Sequence, residues 1–156
     1  MSETRIVPSI EALPETLNAT LGPSRWVEIP QDKIAAFAEA TGDDQWIHVD
    51  VERATKEGPF GGPIAHGYLT LALAPMLLQE LIHVEGCSRI INSGMDGVKF
   101  KAPVRAGARV RLVATVDRVK VIRGQMAHTT LGAKFEIENE TKPALIGSLT
   151  YVYFRD

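Results

Sequence analysis

The chain has 156 residues, 45% of them hydrophobic and 23% charged, which suits one self-standing core and excludes a disordered or fibrous protein. A net charge of −2 argues against a nucleic-acid binder, and a single cysteine, Cys87, excludes an internal disulfide framework and fits a reducing cytoplasm. The N-terminus lacks the basic flank and apolar run of a secretory signal, and the longest apolar stretch, residues 67–82, is short for a bilayer span. The expectation is one cytoplasmic domain over residues 1–156, with residues 1–24 as an N-terminal arm and no membrane partner.

In the arm, Ile10, Leu13, Leu17 and Leu21 share one helix face, but Pro14 interrupts the run and Gly22-Pro23 ends it. Ser9 to Leu21 is therefore predicted as a weak helix, followed by a short strand over Arg25 to Ile29. Pro30 then opens a clearer helix from Gln31 to Thr41, with Ile34, Phe37, Ala38 and Thr41 as its apolar-side stripe, Asp32 in the first turn and Gly42 as the stop. That helix delivers Asp43 to a loop. Asp50 is placed to cap a short turn from Val51 to Thr55, and the glycines and prolines of Gly58 to Pro63 forbid regular structure.

From Ala65 to Ile82 the chain is apolar nearly all round, with Leu69, Leu71, Leu73, Leu77, Leu78 and Leu81 spread over every face. A helix of that kind must be enclosed, and in a chain this short the simplest enclosure is a sheet curled around it. Pro75 is expected to kink it or mark a local break, since it removes one backbone donor. After Gly86 the period changes to two: Val110, Leu112, Ala114 and Val116 form one inward face, and Ala127, Thr129, Leu131, Ala133, Phe135 and Ile137 another. Ser88 to Phe100 and Pro143 to Arg155 complete four strands, with turns at Arg123-Gly124 and Asn139 to Lys142. The predicted class is α+β, a long central helix wrapped by an antiparallel sheet.

Asp43 and His48 stand five residues apart in a segment that must turn. A carboxylate beside an imidazole can take a proton from water while its partner delivers one. Taken alone, the spacing also fits an ordinary turn aspartate and a satisfied histidine. His48, Asp50, His66 and His83 are metal-ligand types, yet no His-x-x-x-His or Cys-x-x-Cys spacing joins them, so no metal is expected. There is no Gly-x-Ser-x-Gly elbow, phosphate loop or dinucleotide fingerprint, and no cofactor is expected either. Residues 99–124 form a basic run, from Lys99 and Lys101 through Arg105, Arg109 and Arg111 to Arg118, Lys120 and Arg123, against the single acid Asp117.

Phe37-x-x-x-Thr41-Gly42-Asp43-x-Gln45-x-x-His48, followed by Pro63-Ile64-Ala65-His66-Gly67-Tyr68-Leu69, resembles the MaoC-like dehydratases, the group that contains the (R)-specific enoyl-CoA hydratases. The family motif, Gly-Asp-x-Asn-Pro-x-His, is matched at its Gly, Asp and His, and the similarity runs from about residue 25 to the C-terminus. The resemblance implies a hot-dog fold, a homodimer with sites near the subunit interface, and an acyl-CoA substrate. It implies that Asp43 and His48 hold a water that adds to a trans-2-enoyl thioester, giving the (R)-3-hydroxyacyl thioester. Gly67 occupies the family position whose backbone N–H faces the thioester oxygen, although a packing glycine at a crowded helix entrance is an equally natural reading.

Gln45 and Trp46 replace the family Asn-Pro and are expected to bind substrate or orient the loop. Pro75 lies near where some relatives place a serine that supports the Asp. His66 is read as orienting, His83 and His128 as surface residues. The basic run is the expected receiver of the CoA phosphates. Since one fold hosts several chemistries, an acyl-CoA thioesterase and a non-catalytic acyl-CoA-binding dehydratase subunit stand as alternatives to the hydratase.

Overall fold

The computed structural model describes residues 2–123 and 125–155. Its first elements are a strand β1 (Arg5–Val7), a 3-10 helix over Ile10–Thr16 and a two-residue strand β2 (Thr20–Leu21). The arm is thus not an α-helix. Pro14 has no N–H to give, and the tighter turn closes with the Leu17 N–H on the Pro14 carbonyl at 3.2 Å. Ile10 and Leu13 are fully buried, so this segment packs into the core.

Strand β3 (Val27–Glu28) is shorter than expected, and α1 (Gln31–Thr41) has the predicted bounds. Gly42 ends α1 in the left-handed region at φ 78°, its N–H bonded to the Ala38 carbonyl at 2.8 Å. The loop after it contains an unpredicted helical turn, α2 (Trp46–Val49), before α3 (Val51–Lys56). Asp50 caps α3 as expected, its carboxylate accepting from the Arg53 N–H at 2.9 Å.

The long helix expected over Ala65–Ile82 is divided into α4 (Gly67–Ala72) and α5 (Ala74–Leu81). Pro75 sits in the first turn of α5, where its missing N–H is harmless, and the Leu73 N–H between the helices turns to the Thr70 carbonyl at 3.2 Å. Ile82 leaves the helix to begin β4 (Ile82–Val84), which pairs in parallel with β1 through Arg5 and Ile82. No helix of the described residues is long and apolar enough to cross a membrane.

Strands β5 (Arg89–Phe100), β6 (Arg109–Ile122), β7 (Met126–Ile137) and β8 (Leu145–Phe154) form the antiparallel sheet, in the order β2-β6-β7-β8-β5, with β3 also on β6. Of the predicted Arg123-Gly124 turn, Gly124 lies outside the described residues, and Arg123 takes a positive φ of 48°. Asn139 does the same at 62° between β7 and β8. The inward alternation holds on β6 and β7, where Val110, Leu112, Val116, Ala127, Leu131 and Phe135 meet Leu77, Leu78 and Leu81 of α5 in one core.

The enclosure is incomplete on one side. Tyr68, Ala72 and Met76 recur at helical spacing and face outward, and β5, an edge strand, exposes Ile90, Ile91, Met95 and Phe100. An apolar helix face and an apolar strand edge are left open side by side.

Candidate active site

Three segments build the site: the loop leaving α1, the α2 turn, and the extended residues that lead into α4. Gly42 turns the chain sharply enough to bring Asp43 back over α2, and the Asp43 N–H rests on the Thr41 hydroxyl at 3.4 Å. The α2 turn carries His48 inward, to 6% exposure. Its carbonyl accepts from the Gln31 side-chain amide at 2.8 Å, which ties α2 to the start of α1.

His48 Nδ1 lies 2.7 Å from the Ile64 carbonyl oxygen. A carbonyl can only accept, so Nδ1 carries the hydrogen and Nε2 is the nitrogen left for chemistry. His66, 2% exposed, stacks on His48 with ring centroids 3.9 Å apart and planes inclined by 27°. Its Nε2–H donates to the Asp43 backbone carbonyl at 2.8 Å, while Phe37 backs the ring at 4.9 Å. His66 Nδ1 is buried with no partner among the described residues.

One ring nitrogen from each histidine and a carboxylate oxygen of Asp43 lie within 4.8 Å of one another. The predicted pair has therefore been brought together, with His66 as a third member that spacing did not single out. Asp43 accepts from the Gln45 side-chain amide at 3.1 Å. That bond is the main cause holding the Asp43 carboxyl below its ordinary value, against the opposing effect of partial burial and with help from His66 and His48. Asp43 is thus held as a carboxylate at neutral pH.

These three side chains are also the donor set that could hold a cation, whereas the four considered from the sequence are not grouped. Asp50 is spent as the α3 cap and His83 is exposed on β4. His128 is half-buried on β7.

A cavity of about 370 Å³ opens beside His48 and Gly67. Phe60 and Phe100 help to line it, residues that no motif had marked because each reaches the site only through tertiary packing, together with Tyr68 of the family turn and Lys101 of the basic run. Thr70 also lines it, and its hydroxyl is buried without a partner. Gly67 begins α4, so its N–H has no acceptor within the helix. A Cβ there would stand 2.7 Å from the Phe100 ring, so close packing alone already requires glycine.

Trp46 does not line this cavity; its ring lies under the Arg53 guanidinium at 4.3 Å. Gln45 is exposed and faces Asp43. The basic run is dispersed: Arg109 pairs with Glu138 and Arg111 with Glu136 across β6 and β7, and at about 3.3 Å per residue Arg118 stands roughly 30 Å along β6 from Arg109.

The family profile described as MaoC like domain matches residues 13–138. The chain belongs to this family. It is a MaoC-like dehydratase of the hot-dog fold, in the hydro-lyase class. It is 42% identical to 3-hydroxyacyl-thioester dehydratase Z of Mycobacterium tuberculosis, over 91% of this chain and 93% of that protein. It is 39% identical to nodulation protein N of Rhizobium leguminosarum bv. viciae, over 94% and 92%. Its structure resembles the R-hydratase PhaJ1 of Pseudomonas aeruginosa with a TM-score of 0.74 at 19% identity, over 99% of this chain and 90% of that one, a likeness of fold alone. In this MaoC-like chain Asp43, His48 and His66 lie together, and His48, Ala65 and Gly67 line the cavity.

Proposed function

We propose that this chain is an (R)-specific enoyl-CoA hydratase, acting reversibly on a trans-2-enoyl-CoA to give an (R)-3-hydroxyacyl-CoA. The observation that carries the reading is the convergence of the Asp43 carboxylate and His48 within 4.8 Å, beside a cavity that the start of α4 also lines. Water sits between the two side chains. Asp43, held as a carboxylate by Gln45, takes one proton from it as the oxygen bonds to C3. The C2–C3 π electrons move toward the thioester, whose oxygen becomes enolate-like and is met by the Gly67 N–H. The unprotonated Nε2 of His48, whose Nδ1–H is tied to Ile64, receives the proton that Asp43 took from water and passes it to C2, where the returning electrons form the C2–H bond, so that both side chains end as they began. The reverse sequence removes water, as the name of the mycobacterial relative describes for that protein.

Gln45 has an electrostatic role in this scheme. Trp46 has a structural one, pinned by Arg53 at the outer side of α2. His66 orients the pair by holding the Asp43 backbone and stacking on the His48 ring.

The open apolar face supports a homodimer. Tyr68 and Met95 are 66% and 60% exposed, and β5 offers unpaired edge groups to a second β5. A symmetric pairing there covers the α4 face beside the cavity, so the partner completes the acyl pocket. The single free cysteine suits a reducing cytoplasm.

The test is the decay of enoyl-thioester ultraviolet absorbance when purified protein meets crotonyl-CoA or a longer homologue. Asp43→Asn and His48→Gln are expected to lose that decay while folding normally; full activity in either removes the mechanism. Release of free thiol from a saturated acyl-CoA, without hydration of the enoyl form, would assign a thioesterase instead.

A further inference from the structure

We propose that Lys101 and Arg105 form the subsite for the phosphates of the thioester carrier, the chemistry common to CoA and to the phosphopantetheine arm of an acyl-carrier protein. The inference rests on the hydratase reading of the site and adds the residues that recognise the non-reacting end of the substrate. Of the basic run, Lys101 lines the cavity with His48 and Arg105 stands one residue beyond its lining. Lys101 is the one lysine or arginine in its lining, and no aspartate or glutamate lines it. Arg105 follows the lining residue Val104, and its Nη2 atom would be 4.0 Å from a Cβ on Gly61, next to the lining residue Phe60.

The backbone beneath both cations is fixed. The Lys101 N–H bonds to the Ala144 carbonyl at 2.8 Å, the Ala65 N–H to Val104 at 2.7 Å, and the Ala106 N–H to Pro63 at 3.0 Å. Above this platform both side chains are exposed and, among the described residues, neither is engaged in an ion pair. Arg109 and Arg111 differ on that point, since each is neutralised by a glutamate across the strand pair. A mobile polyanion threading toward His48 therefore meets two uncommitted cations at the mouth, which bind phosphate by charge-assisted hydrogen bonds. Gly61, at positive φ, presents no side chain beside Arg105.

The experiment compares one enoyl group on three carriers: CoA, acyl-carrier protein, and N-acetylcysteamine, which has no phosphate. The double variant Lys101→Ala/Arg105→Ala is expected to raise KM for the CoA thioester roughly tenfold with kcat unchanged, and to leave the N-acetylcysteamine thioester unaffected. Lys101→Arg/Arg105→Lys, which keeps both charges, should return KM to within about twofold of the starting protein. Added salt should raise KM for CoA in the natural protein and have little effect on the double variant. Arg118→Ala, far along β6, should change nothing.

An unchanged KM for both phosphorylated carriers, or an equal loss on N-acetylcysteamine, overturns the proposal. Loss on CoA alone assigns the subsite to its diphosphate and 3′-phosphate; loss on carrier protein alone assigns it to the phosphodiester. If the natural protein turns over none of the three thioesters, the hydratase reading fails, and calorimetric titration with free CoA still decides the subsite. The double variant should then bind CoA roughly tenfold more weakly, and equal binding sinks the idea.

Discussion

Two walls meet near the cavity, and they are finished differently. The wall made by α2 and the turn into α4 is closed: His48 and His66 are buried, each gives an N–H to a backbone carbonyl, and Gln31 grips the His48 carbonyl. The wall made by α4 and β5 is open, with Tyr68, Met76, Ile91 and Met95 bare. Leaving polar groups unsatisfied is costly, about 1–3 kcal/mol for each buried donor or acceptor, and of these side chains only His66 Nδ1 and Gln31 Oε1 are buried without a partner among the described residues. Apolar surface can wait, at about 25 cal/mol per Å², and that energy is recovered when something covers it. The grouping of Asp43, His48 and His66 is thus internal to one chain, while the proposed dimer supplies the missing cover.

The largest expected effect falls on the closed wall. Asp43→Asn or His48→Gln should lower kcat by about 10²–10⁴-fold, the range of general acid–base contributions, with the circular dichroism spectrum retained. A comparable loss of activity from a surface change on the open wall, without any change in assembly, would erase the distinction between the two walls.

The open wall is probed by Met95→Asp. An aspartate on the β5 edge should turn the dimer into a folded monomer in sedimentation, because burying a lone carboxylate in an apolar interface is strongly unfavourable. A natural protein that sediments as a monomer would remove the dimer altogether.

His66→Phe keeps the ring stack and deletes the donor to the Asp43 carbonyl. It should lower stability by about 1–3 kcal/mol, read from denaturant unfolding, and it should lower kcat by loosening Asp43. A stability loss with kcat intact would make His66 purely structural.

The smallest effect is electrostatic. The Gln45 amide favours the charged form of Asp43 and so holds its carboxyl low. Activity that requires the carboxylate falls as pH drops through that value. In Gln45→Ala the value returns toward the ordinary one, so the acid limb of the pH–rate profile should move to higher pH. Movement to lower pH, or none, would show that the amide does not act on the carboxylate.

Much of this was legible along the chain because local rules were decisive. Period two on β6 and β7 marked their core faces, Gly42 marked the end of α1, and Asp50 marked the cap of α3. Pro75 marked a kink or local break in the central helix, and the break is what forms: proline is harmless in a first turn, and the chain starts a new helix at Ala74. Sequence left Trp46 open between binding substrate and orienting the loop, because an indole carries no direction of its own; its place under Arg53 came from the unforeseen α2 turn.

By itself, then, the sequence determined most element types and the buried strand faces through spacing within one segment, and it offered the pair Asp43 and His48 only once their spacing was joined to the family motif. Only the tertiary structure decided that His66 stacks on that pair, that Phe100 and Lys101 border the cavity, that Arg109 and Arg111 are spent on glutamates, and that one apolar wall stays open. The physical reason is range. Periodicity and capping act over a few residues, whereas which tautomer a histidine adopts, or which arginine is left uncommitted, depends on partners that sheet register brings together from distant parts of the chain.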